Sequence, residues 1–151
     1  MAIGVTPPDQ STVGASVALV FPGQGTQRES MGAPWRDAAS WSLVSAISEQ
    51  SGHDVEELLL STEAEVLRRT DLAQIAVFST CMVALGELRH AGVPATVVAC
   101  AGHSLGEYAA LVAAGALSLA DGAALVAARG AAMLEAARRR PGTMAVVAGV
   151  G

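Results

Sequence analysis

Aromatic residues make up only 3% of the 151 positions, too few to build the stacked platforms on which proteins hold unpaired bases. Charge is scarce as well. Charged residues amount to 15%, the formal net charge is -5 and the pI is near 5.0. The one basic run is Arg138-Arg139-Arg140, read as a solvated helix end where cations suit the dipole. An acidic chain with so little clustered positive charge does not have nucleic acid as its partner.

Cysteine is nearly absent. Cys81 and Cys100 have no metal-type spacing, and in an apolar chain they are expected to be small core residues rather than a disulfide. No metal site is expected. Met1 to Gly25 lacks the positive start of a signal peptide, and the apolar run Val17 to Phe21 is too short to span a bilayer. Gln74, Ser79 and Thr80 interrupt the other long apolar stretch, which points to a core helix and away from a membrane. The expectation is a cytoplasmic protein. Repeats are absent, and the only low-complexity segment is residues 1–15, rich in Pro, Ser, Thr and Gly and expected to be a disordered lead.

What the chain has is apolar material, 52% of its residues, ample for one globular core. Val17 to Phe21 reads as a buried strand that Pro22-Gly23 ends. In the loop Pro22-Gly23-Gln24-Gly25-Thr26-Gln27, two glycines around a glutamine allow close approach to a ligand, and a plain surface turn is the equal alternative. Trp41, Val44 and Ile47 share one side of a helix within residues 35–50. Residues 54–69 read as two short helices, the second opened by Thr62 and Glu65 at capping-box spacing. Leu72 to Arg89 is apolar on nearly every side and reads as a buried helix ended by Gly92 and Pro94. A helix opened by Ser118 and Asp121 runs to Pro141-Gly142, and residues 143–150 read as a last strand.

The densest signal lies between these helices. Val97 to Ala101 reads as a buried strand that turns through Gly102-His103-Ser104-Leu105-Gly106 into a helix reaching about Ala114. Gly-x-Ser-x-Gly between strand and helix is the pattern of a nucleophile elbow, which lifts a serine hydroxyl to a helix N-terminus where backbone N–H groups favour an oxyanion. In a chain with 16 glycines the pattern also arises by chance, but the flanking strand and helix favour a catalytic Ser104 over a turn serine. A serine hydroxyl needs a base. His53, His90 and His103 are the three histidines, and none follows Ser104, although elbow enzymes place theirs after the serine.

Between Gly122 and Leu134 the one charged residue is Arg129, in line with Leu125 and Met133 on the face expected to look inward. A buried guanidinium needs an anion, either a structural carboxylate or a ligand's, and spacing alone favours the structural pair.

Together these residues resemble the malonyl-CoA:acyl-carrier-protein acyltransferases and the acyltransferase domains of polyketide synthases. The resemblance covers residues 17–150. It rests on Phe21-Pro22-Gly23-Gln24-Gly25-Thr26-Gln27, on Gln74 after Thr70-Asp71-Leu72-Ala73, on Gly102 to Tyr108, on Arg129-Gly130 with Met133, and on Pro141 to Ala145. It implies an α/β fold: an α/β-hydrolase-like subdomain with a nucleophile elbow, cut at the first strand of a small ferredoxin-like subdomain. Residues 16–140 would be the N-terminal part of the large subdomain and 141–151 the start of the small one. It further implies that Ser104 is acylated, that the N–H groups of Gln24 and Leu105 form the oxyanion hole, that Arg129 grips the malonyl carboxylate, and that Gln74 lines the pocket. His103 would support the turn, since neighbouring residues there point apart. Leu105 would favour malonyl over methylmalonyl. The implied reaction takes malonyl-CoA as substrate and acyl carrier protein as partner, through a seryl ester and without a further cofactor, in fatty-acid or polyketide synthesis. The family's histidine base would lie downstream, so the chain alone is not expected to turn over. Ile75 departs from the proline common after the glutamine. A serine esterase or thioesterase and a non-catalytic acyltransferase remnant are the alternatives.

Overall fold

A computed structural model describes residues 14–92, 95–142 and 148–149. Helix α4, Thr70–Ala91, runs through its middle because a 22-residue stretch with few polar interruptions can be buried on most of its circumference. By length and a mean hydropathy of 1.4 it would pass for a membrane span, contrary to the argument from Gln74, Ser79 and Thr80, but 72% of that window is buried inside the fold. Against it pack α1 (Leu43–Ser51), α2 (Val55–Leu60), the single turn α3 (Ala64–Leu67), α5 (Gly106–Ala113) and α6 (Leu119–Arg139). Phe78, Ile47, Leu59, Leu67, Ile75 and Val126 are among its fully buried side chains. Val44 and Ile47 lie in the core as expected, but the expected helix at 35–50 is two short 3-10 turns followed by α1.

Helix starts are partly as the sequence suggests. Ser118 caps α6, its hydroxyl accepting from the Asp121 N–H at 3.0 Å. Asp54 caps α2 by accepting from the Glu57 N–H at 2.9 Å. Thr62 does not cap α3. Its hydroxyl donates back to the Glu57 carbonyl near the end of α2, which also accepts from the Ser61 and Thr62 N–H groups, and Glu63 takes the cap position.

The sheet consists of two parallel strands, β1 (Ala15–Phe21) and β2 (Ala95–Gly102), paired from Ala15 with Ala95 to Phe21 with Gly102, with an irregularity between Val17 and Ala18. β1 begins at Ala15, within the segment expected to be disordered; residues 1–13 lie outside the described residues, as do 143–147 and 150–151, where a last strand was expected. The strands were expected to be buried, and the structure corrects this. Leu19, Phe21 and Cys100 pack on the core, while Val20 is 75% exposed and Val98 62%. A parallel strand reads as continuously apolar because layers cover both faces, and among the described residues helices cover only one.

α6 brings a second correction. Its buried face carries Gly122, Ala123, Val126 and Gly130, whereas Leu125, expected inward, is 45% exposed and Arg129 and Met133 sit half-buried at the margin. The small residues win that face because they let α6 approach closely: a Cβ on Gly130 would stand 2.8 Å from Asp71 Cα, and one on Gly122 2.8 Å from a Val112 methyl.

Candidate active site

β2 ends at Gly102 and α5 begins at Gly106, and the three residues between make the turn that presents Ser104. Ser104 is exposed and has φ of +52°, the left-handed region that a side-chain-bearing residue enters only where the surroundings hold it. The surroundings are two glycine contacts and two backbone hydrogen bonds. A Cβ on Gly106 would meet the carbonyl oxygens of Phe21 and Pro22, and one on Gly102 would overlap the backbone of Gly106 and Glu107. The His103 N–H donates to the Phe21 carbonyl at 3.1 Å, and its own carbonyl accepts from the Gly106 N–H at 2.9 Å. The exposed His103 ring lies against Gly23, where a Cβ would come within 2.7 Å of Nδ1. His103 thus ties the turn to the end of β1.

The Ser104 hydroxyl accepts from Arg129 Nη2 at 2.9 Å. Arg129 Nη1 donates to Gln74 Oε1, and the guanidinium lies 5.9 Å from the centre of the Tyr108 ring. Among the described residues no carboxylate pairs with Arg129, so the structural ion pair that its spacing favoured is not formed there. Its partners are neutral.

Gln74 is fully buried on the first turns of α4. Its amide Nε2 donates to Thr70 Oγ1 at 3.0 Å and to Met133 Sδ at 3.2 Å. Thr70 in turn donates to Gln24 Oε1 at 3.1 Å, which joins the Pro22–Gln27 loop to the same network. The Gln24 and Leu105 N–H groups enter no hydrogen bond among the described residues. The Leu105 side chain, 1% exposed, is part of the core, so that Arg129 and not Leu105 flanks the serine hydroxyl.

Thr70 and Tyr108 were missed as site residues. The signal for Thr70 was available, because four residues separate it from Gln74 and place both on one helix face. Cys81, buried in α4, has its thiol pushed up to about 11 by burial and takes no part. Among the described residues no three His, Cys, Asp or Glu side chains group as metal ligands.

A family model described as acyl transferase domain matches residues 18–150. The mitochondrial malonyl-CoA-acyl carrier protein transacylase of Mus musculus is 40% identical over 147 residues, which cover 95% of this chain and 37% of that protein. Its mitochondrial location shows that family membership alone fixes no compartment. The crystal structure of MCAT from Mycobacterium tuberculosis superposes with a TM-score of 0.78 at 34% identity, covering 83% of this chain and 42% of that one. A type II polyketide synthase complex of the malonyl-transacylase PlMCAT with the acyl-carrier protein AntF matches with a TM-score of 0.73 at 33% identity, covering 81% and 40%. The chain spans less than half the length of the curated relatives it matches, 45% of the Mycobacterium bovis transacylase and 37% of the mouse one. A strand, a serine turn and a helix in a mixed α/β fold, matched along nearly the whole chain, make this protein a member of the acyl transferase domain family.

Proposed function

We propose that the chain carries the nucleophile and the carboxylate grip of an acyltransferase that moves malonyl from malonyl-CoA to the phosphopantetheine thiol of an acyl carrier protein, in fatty-acid or polyketide synthesis. The observation behind this reading is the approach of Arg129 Nη2 to Ser104 Oγ at 2.9 Å, with no carboxylate on the guanidinium among the described residues. A planar guanidinium beside a nucleophile, satisfied only by neutral groups, suits an acyl group that brings its own carboxylate.

In this reading the strand β2, the turn and α5 form a nucleophile elbow on an α/β-hydrolase-like subdomain that takes in residues 16–140, with a smaller subdomain starting at 141. Ser104 Oγ adds to the thioester carbonyl, and the N–H groups of Gln24 and Leu105 hold the oxyanion. Collapse releases the CoA thiol, which takes up the proton that Ser104 gave, and leaves the malonyl ester on Ser104. The carrier-protein thiol then adds to that ester, and Ser104 recovers a proton as the thioester forms. Arg129 leaves the serine hydroxyl for the malonyl carboxylate while Gln74 keeps hold of its other arm. The group that relays the proton is a histidine from the part of the family fold this chain does not span. A water-using esterase fits less well, since it has no use for Arg129.

Intact-protein mass spectrometry after incubation of the complete protein with malonyl-CoA tests the reading. A malonyl adduct is expected on the native protein and none on Ser104→Ala; an adduct that survives the substitution overturns the assignment. Arg129→Ala is expected to cost about 2–5 kcal/mol in malonyl loading while acetyl loading from acetyl-CoA persists.

A further inference from the structure

We propose that Thr70 is a positioning residue that sets the direction of the hydrogen-bond chain between Gln24 and Ser104 and so aims Arg129 at the free carboxylate of its acyl substrate. The inference rests on the reading of Arg129 given above.

A threonine hydroxyl has one proton to donate, and Thr70 donates it to Gln24 Oε1 at 3.1 Å. Its lone pairs are left for Gln74, whose Nε2 donates to it at 3.0 Å. Gln74 is fully buried, so no water can compensate a wrong orientation of its amide. With Nε2 held by Thr70 and by Met133 Sδ, Oε1 has to face Arg129, where it accepts from Nη1. A half-turn of the amide would set an NH2 group against the guanidinium, donor against donor, and leave Arg129 without its anchor.

The anchoring has a consequence for specificity. Arginine gives up rotamer freedom when it is fixed, and a side chain already held at Nη1 has less to lose on gripping a carboxylate. Nη2, which rests on Ser104 Oγ, is the arm that can turn to that carboxylate. The same hydroxyl fixes the side chain of Gln24, so one residue ties the oxyanion loop to the carboxylate grip. A threonine needed only for helix packing would not care which acyl group is bound.

The test measures affinity in the Ser104→Ala background, where no ester can form, by calorimetry of the complete protein with malonyl-CoA and with acetyl-CoA. With Thr70 in place, malonyl-CoA is expected to bind more tightly. Thr70→Val, which keeps the shape and removes the hydroxyl, is expected to reduce that preference about tenfold by weakening malonyl-CoA and leaving acetyl-CoA unchanged, and Thr70→Ser is expected to restore it. Gln24→Met, on the half-buried loop, provides a variant with little risk to folding. It frees the Thr70 proton to turn toward Gln74 and should lower the preference in the same direction by a smaller factor. A preference that survives both Thr70→Val and Gln24→Met overturns the role of Thr70 and leaves the reading of Arg129 standing. So does an equal loss for both thioesters, or a serine variant that fails to restore the preference. No preference with Thr70 in place overturns the reading of Arg129 itself, and this inference with it.

Discussion

Helix α4 is enclosed on nearly every side, whereas among the described residues the two strands that lead to Ser104 have an uncovered face on which Val20 and Val98 are exposed. The strands are the more apolar in sequence, with only Ser16, Thr96 and Gly102 outside the hydrophobic set, yet they are the less buried. The two regions differ in what lies next to them: among the described residues α4 is surrounded by helices, while β1 and β2 have helices on one face. The helical region therefore holds its own stability, and the serine turn borrows its rigidity from close backbone contacts at the strand ends. Two parallel strands form less than a self-sufficient sheet, and the covered face is where α5 begins.

The largest effect expected from this contrast is in the helical region. Phe78 is 1% exposed, and its ring lies against Gly122 of α6. Phe78→Ala should destabilise the protein by about 3–5 kcal/mol, because removing the ring leaves a cavity that the surrounding helices cannot close. Val98→Thr, on the bare face, should change stability by no more than about 0.5 kcal/mol. Urea denaturation of both variants reads the difference. Equal costs would break the comparison, since Val98 would then be packed against something.

The second effect is at the serine turn. Gly106→Ala places a methyl group 2.7 Å from the Pro22 carbonyl oxygen and closer still to that of Phe21, both backbone atoms that cannot turn aside. Overpacking of this kind costs about 1–3 kcal/mol. The melting temperature should fall less than for Phe78→Ala. Malonyl loading of Ser104 should fall more, because the displaced atoms are those that hold the +52° backbone of Ser104 and the loop bearing Gln24. Loading that follows stability alone in the two variants would show that the turn has no special rigidity.

The order of strands and helices was legible because periodicity and helix punctuation are local properties, and Ser118, Gly92 and Gly115 stand where they stop or start a helix. The serine turn was legible for the same reason: glycines at 102 and 106 are needed by backbone contacts that any sequence with this turn would have. What was not legible depends on neighbours distant in sequence. Leu125 looked inward by spacing, yet Gly122, Ala123 and Gly130 take the buried face because close helix approach outweighs hydrophobicity there. Arg129 looked as if it needed a structural carboxylate, and it found Gln74, 55 residues away. The bare sheet face could not be read at all, since an apolar strand looks the same whether or not a layer covers it.

The smallest expected effect concerns pH and also separates the two regions. Glu87, on α4, accepts from the Ser40 N–H at 2.8 Å and lies 3.8 Å from His90 Nδ1. Hydrogen bonding from Ser40, together with the charge of His90, holds the Glu87 carboxyl below its ordinary value of 4.5. A carboxyl whose pKa is depressed in the folded state contributes stability at pH values above the unfolded pKa, and that contribution is lost as the pH falls through the folded pKa. The helical region should therefore loosen below pH 4.5 by way of the segment bearing Ser40. Melting temperatures of the native protein and Glu87→Gln, taken from neutral pH downward, measure it. The native protein should be the more stable at neutral pH, and the two curves should converge in acid. Curves that stay parallel would show that Ser40 holds the neutral amide as well as the carboxylate, and that acid acts on the two regions alike.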